Sequence, residues 1–250
     1  VTGSTGKLKS NAFTLKVMPR AAQQKNPQGL GELACVIELS KQSAFVGEPI
    51  VASFKIYNRA NNLDVREYNV PEMAGFWTEQ IEMEDPRWEP EVVNGRRYNV
   101  ATVRKVLLFP QKTGTIDIDG FNLTGYKRTG FFDGKNVTAQ ADPVTIRVKP
   151  LPEPIPKGMI GAFNRFRLQL KVSPSECKTN EALTVEFVYS GVGNLKFIQE
   201  PDLQWPGEFE VYDPEIIDRI KVSGDGESGS RTFRYVVIPR APGQYILPSP

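Results

Sequence analysis

The sequence predicts an all-β chain of tandem antiparallel immunoglobulin-like β-sandwich domains, and three observations carry that reading. Short runs of alternating apolar and polar residues recur along its length, separated by Pro, Gly and Asn, with no sustained run of helical period. One such run occurs twice, as GEPIVASFKIY at 47–57 and NEALTVEFVYS at 180–190. In each copy a glutamate, Glu48 or Glu181, precedes the alternation, and Ile50, Ala52, Phe54 and Ile56 keep the phase of Leu183, Val185, Phe187 and Tyr189. The third observation is that the correspondence persists. Pro71-Glu72-Met73 matches Pro201-Asp202-Leu203, and Phe109-Pro110 with Gly114, Ile116 and Ile118 matches Ile238-Pro239 with Gly243, Tyr245 and Leu247. The offset drifts only from 133 to 129 residues, as expected of two domains on one plan.

In chain order, Phe13, Leu15 and Val17 alternate in the phase of Val144, Ile146 and Val148, so residues 1–20 are expected to hold the last strand, 10–18, of a preceding sandwich. Residues 21–31 carry no periodic pattern and read as a linker. A complete sandwich is expected over 32–150, with strands near 33–39, 49–58, 63–68, 76–83, 97–109, 115–124 and 143–149. Asn94-Gly95 reads as a hairpin turn, and a Pro followed four residues later by Gly, in FPQKTG and IPRAPG, ends one strand and permits a tight return.

The Pro-rich stretch 151–161 favours an extended, semi-stiff linker that restricts the angle between the domains. The second, homologous sandwich is expected over 162–250, with strands near 165–172, 182–190, 195–199, 208–212, 231–238 and 244–247. Leu247 aligns with Ile118, whereas the first copy runs on through Val148, so the second copy is expected to lack its last strand or strands.

Composition narrows the chemistry. The net charge is +2, with no run of like charges, so nothing electrostatic points to nucleic acid. No apolar stretch approaches the length of a membrane-spanning helix. The 250 residues include no His, which removes the commonest general base, the Ser-His-Asp and Cys-His nucleophile arrangements and most zinc sites. No catalytic, cofactor or metal residues are therefore expected, and the protein reads as a non-enzyme. Cys35 and Cys177 fall in different copies and read as unpaired, largely buried thiols.

Two stretches could meet a partner. Residues 72–90 place Phe76, Trp77 and Trp88 among carboxylates; Phe76 or Trp77 reads as a core anchor, and Trp88, between Pro86 and Pro90, as an exposed ring. Glu82, Glu84 and Asp85, and Asp117 with Asp119, read as solvated acidic positions without a calcium-loop spacing. The loop YKRTGFFDGKN at 126–136 is expected to join the last two strands of the complete sandwich and to expose Phe131 and Phe132. Trp88, Phe131 and Phe132 are thus the candidate interaction surface.

The order of VGEPIVASFKIYN, PEMAGFW, RRYNVATVRKVLLFPQKTGTIDI, a loop with FFDG, and PVTIRVKPLP closely resembles the BatD family, the oxygen-tolerance or aerotolerance-operon proteins of bacteria. The resemblance extends from SNAFTLKV at the front to PRAPGQYILPSP in the second copy. It implies an exported protein on the periplasmic side of the inner membrane, tethered by a segment outside these residues. It also implies envelope partners with von Willebrand A or TPR domains, and it offers no catalytic residues to carry across. The expected function is a non-enzymatic scaffold or protein-interaction module of a membrane-associated aerotolerance or envelope-stress complex. A carbohydrate- or surface-ligand-binding sandwich using Trp88 is the alternative. Redox work at either cysteine is disfavoured, because CxxC spacing is missing.

Overall fold

The computed structural model describes residues 2–3, 6–7, 30–59, 62–154, 163–224 and 226–248. The strand expected at 10–18, nearly all of the first linker and residues 155–161 of the Pro-rich linker lie outside the described residues. At the front, β1 (Thr2–Gly3) and β2 (Gly6–Lys7) form a short antiparallel pair.

The first unit contains β3 (Leu33–Leu39), β4 (Ser43–Phe45), β5 (Ile50–Asn58), β6 (Leu63–Asn69), β7 (Phe76–Gln80), β8 (Glu89–Val93), β9 (Arg96–Pro110), β10 (Gly114–Ile118), β11 (Asn122–Arg128), β12 (Gly134–Gln140) and β13 (Val144–Lys149). One layer is a sheet in the order β3-β5-β9, with β7 and β8 both paired to the long β9, β7 on its C-terminal half and β8 on its N-terminal half. Facing it are two three-stranded sheets, β10-β13-β4 and β12-β11-β6. All pairings are antiparallel except β13 with β4. Ile37, Ala52, Phe54, Val106 and Leu108 from the first layer close on Ile116, Ile118, Leu123, Val144 and Ile146 from the second, with Phe121 edge-on to Phe54.

The second unit contains β14 (Asn164–Ser173), β15 (Leu183–Gly193), a 3-10 turn η1 (Leu195–Phe197), β16 (Phe209–Val211), β17 (Glu215–Ser223) and β18 (Gly226–Pro239). Its sheet repeats the first layer strand for strand: β14-β15-β18, with β16 and β17 sharing the far side of the long β18. The register repeats too. Phe76 pairs with Pro110 as Phe209 pairs with Pro239, and Ile50 pairs with Leu108 as Leu183 pairs with Val237.

Some expected elements differ. The residues at 195–199 make η1 and an irregular segment in place of a strand, and 244–247 is irregular, flanked by Pro242 and Pro248. The expected strand over 115–124 is two, β10 and β11, broken at Gly120, where a Cβ would meet the Ala141 carbonyl at 1.7 Å. Strands β4, β12 and β17 were not foreseen, because β4 is three residues long, β12 (GKNVTAQ) is polar, and the alternation of β17 (EIIDRIKVS) is interrupted at Ile217-Asp218. Among the described residues no second sheet faces β14-β15-β18. Leu195, Ile198, Leu203, Trp205 and Leu247 cover Val185, Phe187, Tyr189, Phe233 and Tyr235 instead.

The repeated glutamate has a local reason. Glu48 Oε2 accepts a hydrogen bond from the Phe45 N–H at 2.8 Å while the Glu48 N–H donates to the Phe45 carbonyl at 3.1 Å. Glu181 does the same with Lys178, at 3.0 Å for each bond. The residue before it is left-handed in both copies, Gly47 at φ 77° and Asn180 at φ 67°, the two residue types that tolerate that conformation best. Its N–H reaches the carbonyl of the strand-ending proline, Pro110 or Pro239, at 2.9 Å. The Gly/Asn-Glu pair therefore locks the entry of β5 and β15 to the end of the long strand.

Glu48→Ala and Glu181→Ala should each lower the unfolding free energy by about 1 kcal/mol, the usual worth of a hydrogen bond. Urea denaturation should find the larger loss at Glu48, which also pairs with Lys41 at 2.6 Å and is the less exposed of the two.

Candidate interaction surface and the joint between the units

Strand β9 carries an uninterrupted apolar run, Val106-Leu107-Leu108-Phe109, so its outward side chains are as apolar as its inward ones. Val106 and Leu108 face the sandwich core, while Leu107 and Phe109 face away from it yet are 1% and 0% exposed. The second unit covers them: Phe197 of η1 lies 4.8 Å from the Phe109 ring, edge-on to Trp77 at 6.4 Å, and Val222 of β17 packs into the same cluster with Val51 and Ile81.

Polar contacts fix this joint. Asn194, fully buried, accepts from the Phe163 N–H at 2.6 Å and donates to the Gly47 carbonyl at 3.2 Å. Lys196 Nζ meets Glu79 Oε1 at 2.6 Å across the interface, and Phe45 stacks on Phe163 at 6.4 Å. The relative placement of the two units is thus held by packed side chains in addition to any restriction from the Pro-rich linker. An open cleft beside the joint is lined by residues that include Lys41, Glu48, Phe163 and Asn164, and its two charges satisfy each other.

Beneath η1 sits Glu227, 0% exposed. Its Oε2 accepts from the Lys196 N–H at 2.8 Å, while Oε1 has no hydrogen-bond partner among the described residues. Burial raises its pKa above the usual carboxylate range, outweighing the Lys196 N–H bond and charge, and Glu79 and Asp218 add to the rise. Arg231, alongside, donates to the Lys196 carbonyl at 2.7 Å and approaches Asp218 at 3.4 Å.

Of the aromatic candidates, Phe76 packs inward against the first core. Trp77 is half exposed at the joint, its indole N–H donating to Glu79 at 3.2 Å. Trp88 precedes β8 and is 43% exposed, beside the Arg87–Glu84 ion pair. The loop at 126–136 does not join the last two strands of the first unit. It is the tip of the β11–β12 hairpin, and the chain continues through β12 to β13.

At that tip Phe131 and Phe132 are 96% and 92% exposed and touch each other edge-on at 5.2 Å. The N–H groups of Thr129 and Gly130 both reach the Asp133 carbonyl, which closes the turn and holds the rings outward. Trp88 shares no ring contact with either phenylalanine among the described residues, so the three candidates are not one stacked cluster.

Sequence reasoning missed the joint residues Asn194, Phe197 and Glu227. The unbroken VLLF run was the available signal.

Cys35 and Cys177 are free; Cys35 is buried, which pushes its thiol up to about 12, and Cys177 is half-buried against the second core. Among the described residues no group of three or more His, Cys, Asp or Glu is placed to hold a metal ion. Asp117 instead accepts from the Thr145 hydroxyl at 2.7 Å.

The architecture defines an all-β protein of the immunoglobulin-like sandwich class. Residues 170–250, most of the second unit, match the family model described as BatD DUF11 like domain. No curated protein sequence matches the chain. Among solved structures the chain is similar to the type II cohesin dyad from the adaptor ScaA scaffoldin of Acetivibrio cellulolyticus, at 11% identity over 83% of this chain and 85% of that one. The TM-score of 0.23 leaves that likeness without weight for function.

Phe197→Ala should uncover Leu107 and Phe109 and lower stability by about 3 kcal/mol, as for other truncations of packed phenylalanines, with dye binding to the newly exposed surface as a second readout. Glu227→Gln keeps the acceptor for Lys196 and removes the charge. A carboxyl with a raised folded pKa contributes stability that is full below its unfolded pKa and is lost as pH rises through the folded value. The variant should therefore match the parent at about pH 4 and become progressively more stable than it towards pH 8, as read by urea denaturation across that range.

Proposed function

We propose that this chain is a non-enzymatic scaffold or protein-interaction module of a membrane-associated envelope complex that serves aerotolerance. The observation that carries the reading is the β11–β12 tip. Two adjacent phenylalanines stand almost fully exposed on a turn closed by its own backbone, on a unit braced against its neighbour by the Phe197 joint. Large apolar side chains at such exposure gain free energy when a partner covers them, and a braced support lets that contact form without first ordering the units.

The BatD match at 170–250 supports the link to the aerotolerance system. In this reading the protein lies on the periplasmic side of the inner membrane and its partners are envelope proteins with von Willebrand A or TPR domains. Chemistry is left to those partners. The exposed Trp88 favours one competing reading, a ring on which a sugar stacks.

The test uses the chain as bait for solubilised bacterial envelope, compared with a Phe131→Ala/Phe132→Ala variant and, separately, a Trp88→Ala variant. Recovery of von Willebrand A or TPR proteins by the parent, with loss in the double variant, is the expected result. Equal recovery by the double variant would move the contact off the tip. Glycan binding by the parent that Trp88→Ala abolishes, with no protein captured, would replace the scaffold reading by the sugar-binding one.

A further inference from the structure

The internal repeat allows each position of one unit to be compared with its counterpart in the other. In the first unit Cys35 and Ile37 of the edge strand β3 lie opposite Ile56 and Phe54 of β5. In the second, Leu168 and Leu170 of the edge strand β14 lie opposite Tyr189 and Phe187 of β15. Since Tyr189 and Phe187 occupy the repeat positions of Ile56 and Phe54, Leu168 corresponds to Cys35 and Leu170 to Ile37.

Their surroundings differ. Cys35 and Ile37 are 5% and 3% exposed, because β11 and β12 close over β3, Leu123 joining the same core and the Cys35 thiol reaching the Ala139 carbonyl at 3.7 Å. Leu168 and Leu170 are each 42% exposed on the core-facing side of their strand. Among the described residues β14 pairs with β15 alone, so one side of a ten-residue strand keeps its backbone hydrogen-bonding groups open.

The opposite side of β14 has a single sign. Arg165, Arg167 and Lys171 alternate with Phe166, Leu168, Leu170 and Val172, all three cations are exposed, and the strand carries no acidic residue. Among the described residues none of the three makes an ion pair; the nearest opposite carboxylate in register, Glu186 across from Lys171, is taken by Arg234 at 2.8 Å. An open strand edge with apolar side chains on one face and unpaired cations on the other is complementary to one kind of strand.

We propose that β14 is a strand-addition site for an extended segment of a partner protein in which apolar and acidic residues alternate. Its apolar side chains pack beside Leu168 and Leu170 on the inner face of the extended sheet, and its carboxylates meet Arg165, Arg167 and Lys171 on the other. The inference rests on reading the chain as an interaction module and names a second contact, independent of the phenylalanine tip. Basic residues on a free edge also deter unwanted pairing between identical edges. The same cations that repel an identical edge attract an acidic strand.

The test uses the whole chain and a labelled ten-residue peptide alternating Val and Glu, with a control peptide of the same composition arranged as two blocks. Anisotropy should report binding of the alternating peptide only. Arg167→Glu and, separately, Leu170→Ser should each weaken it by about tenfold, and both half-exposed or exposed positions tolerate change without unfolding. Hydrogen exchange should show new protection confined to 164–173. Because a Phe131→Ala/Phe132→Ala chain should bind the peptide as the parent does, failure here and failure of envelope capture are separable. Binding of both peptides alike, no binding at millimolar peptide, or a concentration-dependent dimer that protects 164–173 without peptide would overturn the proposal, the last by making a second copy the occupant.

Discussion

A strand that is apolar on both faces has to be covered twice, and β9 imposes that requirement on the first unit. Its inward residues Val106 and Leu108 are closed by the opposing sheets of the sandwich, as in any two-layer β protein. Its outward residues Leu107 and Phe109 would otherwise leave adjacent large side chains in water, at a cost of roughly 1.5–3 kcal/mol each. The second unit meets that requirement with Phe197 and Val222, and the rest of the joint is arranged around those contacts. Asn194 ties the end of β15 to the turn at Gly47, and Lys196 answers Glu79.

The long strands β9 and β18 also organise each unit internally. Both are long enough to pair with two separate strands on one side, β7 and β8 in the first unit and β16 and β17 in the second. Both end in a proline whose carbonyl accepts from a left-handed Gly or Asn beside the repeated glutamate. A change in that turn acts on a strand paired with three others of its sheet. Both copies share this Gly/Asn-Glu arrangement, and the same turn joins the long strand to the start of its neighbour in each.

The two units diverge where they meet their surroundings. The first has a two-layered core and a hairpin whose tip extends two phenylalanines into solvent. The second closes its sheet with an irregular segment anchored by Leu195 and Trp205, which leaves the β14 side of its inner face half open. Two copies of one plan therefore present different surfaces, a protruding apolar tip and an open basic edge, held at a fixed relative position by the joint.

Much of the fold was legible in sequence because alternation with period two is a local property. IVASFKI and LTVEFVY can place apolar side chains on one face only as strands, and the near-constant offset between them marks a repeat. The exposure of Phe131 and Phe132 followed from their place between two glycines in a polar loop. Three things were decided only by the tertiary structure. Residues 195–199 carry apolar side chains suited to a strand, yet they turn into η1 because Phe197 has a cluster to fill on the other unit. Glu227 sits in the polar run GESGS, which carries no apolar alternation, and only the docking of η1 above it makes it a buried carboxyl. Leu168 and Leu170 have the pattern of core positions, and whether such positions are covered depends on which other segments reach them, a non-local matter that no window of sequence contains.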